Sequence, residues 1–90
     1  MGRQRRPQPK LLAVKLKQIR LELGLTQQEM AQRLGKVPSA PDGAMISRYE
    51  RGEREPSLFV LLAYGNLIGL AVDNLIDDRV STSALIKAIR

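Results

Sequence analysis

The sequence predicts an all-helical fold, on three observations. Tyr49, Tyr64 and Phe59 are the only aromatic residues in a chain that is 43% apolar, so the core is aliphatic and leucine-rich. Apolar residues recur at helical spacing in segment after segment, and no alternating strand pattern exceeds three residues. Glycines and small polar capping residues separate those segments at the places where helices start and stop. Ninety residues hold one such core and no second.

Residues 1–9 have no apolar periodicity and two prolines, and are expected to be a flexible arm. The first helix starts at Leu11. Leu12, Leu16, Ile19 and Leu23 form one stripe along it, with Lys15, Lys17, Gln18 and Glu22 expected off that stripe. Gly24 closes it in a left-handed turn. Thr26 and Glu29 have the spacing of a capping box and open a second helix, whose buried face is Met30, Ala31 and Leu34. Residues 36–43 form a turn. A third helix runs through Ile46–Glu50 to Gly52, capped either by Asp42 or, one turn earlier, by Ser39 with Pro41 in the first turn. Ser57 caps a fourth helix from Leu58 to Ile68; it is apolar nearly all round and is expected to be the central buried helix. A short fifth helix covers Val72–Ile76. Ser81 or Ser83 caps a last one carrying Leu85, Ile86 and Ile89.

Composition removes several functions. Without cysteine there is no disulfide or thiolate metal site, and without histidine the commonest general base and metal ligand are missing. Neither an enzyme nor a metal or cofactor protein is expected; the adjacent Asp77 and Asp78 are too exposed a pair to carry a catalytic claim. Charge is more informative. Residues 1–20 hold Arg3, Arg5, Arg6, Lys10, Lys15, Lys17 and Arg20 and no acid, so this end carries +7 and the rest of the chain −1 of the net +6. That asymmetry fits a polyanion as partner. No stretch suits a secretory signal or a membrane span, so a cytoplasmic protein is expected.

The second and third helices carry the strongest signal. Ala31, the fifth residue from Gln27, is small enough for another helix to cross closely, and Gly35, the ninth, permits a tight turn. Ile46 and Tyr49 then give the next helix one buried edge. This is the spacing of a helix-turn-helix, whose second helix enters the DNA major groove. Leu23–Gly35 (LGLTQQEMAQRLG) and Ile46–Leu58 (ISRYERGEREPSL) resemble the lambda-repressor/Cro-like helix-turn-helix family of phage and bacterial regulators. The likeness continues through Leu61-Leu62, Ile68-Gly69-Leu70 and Asp73-Asn74-Leu75-Ile76. It implies a compact five-helix bundle, here with a possible short sixth helix, and a homodimeric transcriptional regulator, most simply a repressor.

One departure stands out. Lys36 to Met45 separates Gly35 from Ile46 by ten residues, where the family usually has about half as many. Either the turn is lengthened or the third helix begins a turn early. The positions matching the family's base-reading residues are Gly43 and Ala44, which cannot form a bidentate bond to a base. Arg48 matches another base-contacting position, and its planar fork suits guanine O6 and N7. Ser47 is a weaker candidate, and Met45 suits a thymine methyl. Gln27 matches a phosphate contact, joined by Thr26, Arg51, Arg54 and Lys36 as candidates. Arg3, Arg5, Arg6 and Lys10 form a basic arm for phosphates or an A·T-rich minor groove. Arg20 and Glu50 match a partly buried family ion pair.

The expected organisation is an arm (1–10), a DNA-binding domain (11–78) and a C-terminal helix or tail (79–90). The last helix either packs on its own domain or pairs across a two-fold axis. The competing reading is an antitoxin or other protein-binding module gripping a partner through that helix. A membrane-surface role for residues 3–20 is weaker, because the apolar stripe is needed by the core.

Overall fold

A computed structural model describes residues 9–38 and 40–90 of the chain. Six helices follow in order: α1 (Leu12–Glu22), α2 (Gln27–Arg33), α3 (Gly43–Glu50), α4 (Leu58–Ile68), α5 (Asp73–Ile76) and α6 (Thr82–Ile89). No strand occurs among the described residues. No helix there is long and apolar enough to cross a membrane.

Local side chains set most boundaries. Thr26 and Glu29 form the reciprocal capping box, with Thr26 Oγ1 accepting from the Glu29 N–H at 3.1 Å and Glu29 Oε1 accepting from the Thr26 N–H at 2.8 Å. Asp42 caps α3 by accepting from the Met45 N–H at 2.8 Å. The backward extension of α3 therefore does not occur, and the turn before it is the lengthened element. Ser39, the alternative cap, lies outside the described residues. Ser57 and Ser81 cap α4 and α6. Gly24, Gly52 and Gly69 each have φ above +70°, where a Cβ would be strained, and each stands where a helix ends.

The core is made of Leu12, Leu16 and Ile19 from α1, Met30 and Ala31 from α2, Leu34 just after it, Ile46 and Tyr49 from α3, Val60, Leu61 and Tyr64 from α4, Leu75 from α5 and Leu85 from α6. Leu85 seats α6 on its own domain, against α1. Two expectations fail. Lys15, placed off the buried stripe by pattern, is fully buried. Its Nζ donates to the carbonyls of Asn74 and Asp77, both at 2.9 Å, and so caps the C-terminal end of α5. Burial lowers its pKa, while Asp78 and Asp77 oppose that shift. Nor is α4 buried all round. Leu58 is 79% exposed, Phe59 58% and Leu62 50%, because no element among the described residues covers that face.

The start of α1 has no cap of its own and borrows one. The Asp78 carboxylate accepts from the backbone N–H groups of Lys10 at 2.8 Å and Leu11 at 3.0 Å, which hold its pKa below the ordinary aspartate value. Asp77 is lowered to about 2, first by the side-chain and then by the backbone hydrogen bond from Arg79. A carboxylate lowered in the folded state contributes stability that is complete above its unfolded pKa and is lost as pH falls through the folded one. The thermal midpoint is therefore expected to fall as pH drops from about 4 to about 2. Asp78→Asn should lower the midpoint at neutral pH and flatten part of that acid limb. Calorimetry across the pH series checks both.

Candidate nucleic-acid interface

The two helices with helix-turn-helix spacing cross closely. Ala31 is buried on α2, and Gly43, the first residue of α3, lies against the second residue of α2. A Cβ added at Gly43 would stand 2.8 Å from Gln28 Oε1 and 3.5 Å from Gln28 Cα. Gly43 is thus where α3 begins pressed on α2, a packing role that replaces the side-chain role of the matching family position.

The other end of α3 is held by charge. Arg20 in α1 donates from Nε and Nη2 to the two carboxylate oxygens of Glu50, at 2.8 and 3.0 Å. Its Nη1 donates to the Leu25 carbonyl at 2.9 Å, and Gln27 Nε2 donates to Glu50 Oε1 at 3.3 Å. The side chains are 11% and 3% exposed. The hydrogen bond from Arg20 to Glu50 outweighs desolvation, so the guanidinium pKa is raised and Arg20 stays charged. One bidentate pair therefore ties α1, the α1–α2 turn, the first turn of α2 and the last turn of α3.

Between these two anchors α3 buries Ile46 and Tyr49 and presents Ala44 and Arg48 to solvent. The Arg48 guanidinium has no ion-pair partner among the described residues. Ser47 is half-buried, and Met45, also half-buried, packs partly against the core. Arg51 is exposed but partly engaged, with Nη2 3.3 Å from Glu53 and Nε donating to the Ser47 carbonyl at 3.4 Å. Thr26 is exposed at the N-terminus of α2, with Gln27 half-buried beside it.

Lys10 and Arg54, far apart in sequence, line one cleft of about 300 Å³ with Ala13, Tyr49 and Gly52. The chain thus enters α1 beside the C-terminal end of α3. Arg3, Arg5 and Arg6 lie outside the described residues. Lys36 is the outlier of the candidate set. It sits beyond the C-terminus of α2, where it lines a groove with α4 instead of joining Gln27.

A family model described as a helix-turn-helix domain matches residues 11–77. No curated protein and no solved structure matches the chain.

Proposed function

Because the chain belongs to the helix-turn-helix family, of the Cro-like type, and is in general terms a DNA-binding regulator, we propose that it reads specific double-stranded sites with α3 in the major groove. The observation that supports this most is the fixing of α3 at both ends while Arg48 stays exposed between them, with no ion pair among the described residues. A helix so held presents its side chains at a set angle, which base readout requires.

In this reading Arg48 donates both arms of its fork to guanine O6 and N7, with Ser47 and Met45 contributing less. Thr26, Gln27, Arg51 and Arg54 contact phosphates and set the register. Lys10 leads the basic arm (residues 1–10) from the cleft it shares with Arg54 onto the duplex. Residues 11–78 are the reading domain, and 79–90 brace α1 from behind. Two copies on adjacent half-sites supply the affinity that one small module lacks, and the bound protein represses by occupying its operator.

Arg48→Ala tests the assignment. Arg48 makes no ion pair among the described residues, so stability should change by less than about 0.5 kcal/mol. Discrimination at one base pair of the site should fall by about 1–3 kcal/mol. Fluorescence anisotropy on the site and its single-base variants measures this. A uniform loss on every duplex would make Arg48 a phosphate contact instead.

A further inference from the structure

We infer that the groove between the α2–α3 turn and the outer face of α4 is a docking site for an acidic amphipathic helix of a partner protein. One wall is the uncovered face of α4, with Phe59 and Leu62 half exposed and Leu67 beside them. The opposite wall is Val37 and Pro38, which belong to the lengthened turn. Together they enclose about 480 Å³. No residue of α3 lines the groove, so an occupant leaves the proposed DNA-reading surface free.

The chemistry of the rim selects the occupant. Arg33 and Lys36 border the groove, both exposed and neither in an ion pair among the described residues. No acidic residue lines it among the described residues. Apolar walls under a basic rim, whose Arg33 feels only the more distant charge of Glu29, fit a helix with apolar anchors at i, i+3 or i+4, and i+7 and carboxylates alongside them. A second copy of the chain has no such helix to offer. Its acids are spread over several elements and mostly engaged: Glu22 on Arg90, Glu29 on the Thr26 amide, Asp42 on the Met45 amide, Glu50 on Arg20, Glu53 on Arg51, Asp77 on Arg79 and Asp78 on the amides just before α1, while Asp73 lies on α5, only four residues long. A concave groove also suits a helix better than the flat surface of an anionic bilayer. The apolar face left for a partner is thus on α4, while α6 spends Leu85 on the core.

The test uses the full chain, isotopically labelled, and a synthetic amphipathic peptide of about four helical turns with leucine anchors and glutamate flanks. The expected result is a saturable set of amide shifts centred on Val37, Leu62 and Leu67. Affinity should be at least about tenfold lower for the same peptide with lysine flanks. Leu62→Ser should weaken the acidic peptide similarly, with DNA affinity and the remaining spectrum unchanged; Phe59→Ser repeats the test at an independent exposed position. No shift, or equal binding of both peptides, overturns the proposal. So does the same shift pattern from raising protein concentration alone, which would make a second copy the occupant. Binding of phosphatidylglycerol vesicles with no response to the peptide overturns it in favour of a membrane surface.

Discussion

Replacing Glu50 by alanine is expected to destabilise the protein by about 3 kcal/mol, the lower end of the range for breaking a buried ion pair. The lower end applies because the Arg20 side chain retains 11% exposure. The loss is mostly the stranding of a guanidinium whose one remaining acceptor is the Leu25 carbonyl. Gln27 loses its acceptor as well. Glu50→Gln keeps an acceptor and the shape, and should cost less. The double replacement Arg20→Met with Glu50→Leu should recover most of the stability, because it strands nothing. It should not recover DNA affinity, since the bidentate clasp that sets the angle of α3 is gone. Urea unfolding and anisotropy titration of the four proteins separate the two effects. Unchanged stability and affinity in Glu50→Gln and Glu50→Ala alike would remove the pair from the mechanism.

The second large effect is expected at Gly65, inside α4. Helix propensity alone favours alanine over glycine there by about 1 kcal/mol. The structure opposes it. A Cβ at Gly65 would lie 2.7 Å from the Leu70 carbonyl oxygen, a backbone atom that cannot swing aside. The Leu70 N–H already donates to the Gly65 carbonyl at 2.9 Å, so the chain folds back on α4 at this point. Gly65→Val should therefore cost about 3 kcal/mol, the upper end of overpacking penalties. Gly65→Ala should also destabilise, despite its better propensity. Chemical denaturation gives the sign directly, and a stabilised alanine variant would mean that the return of the chain is loose.

What could be read from the sequence follows a physical division. Caps and left-handed glycines are legible because their partners are three or four residues away: Thr26 with Glu29 and Ser57 with Val60, with Asp42 one of two caps that the sequence allows for α3. The α2–α3 pair was legible because close crossing demands small residues at set intervals, and Ala31 meets that demand. The tertiary caps were not. Lys15 finds its carbonyls about sixty residues away, and Asp78 finds the two amides just before α1 at a similar remove. No local pattern reports such partners. Pattern also overburied α4, since apolarity on every side says what a helix would bury, and only the number of neighbours says what it does bury. The site divides in the same way. Arg20 and Glu50 came from family likeness, while the packing role of Gly43 and the place of Lys36 on the α4 groove emerged only in three dimensions.

Selection of bound sites from random duplex DNA, at fixed salt near physiological strength, decides whether α3 reads sequence. One half-site should be recovered, with guanine at a position whose discrimination disappears in Arg48→Ala. The protein should prefer that site over unrelated duplex by at least about 10³-fold. Recovery of unselected DNA, with binding that depends on salt and not on sequence, would contradict it and leave a basic helical bundle that holds any polyanion.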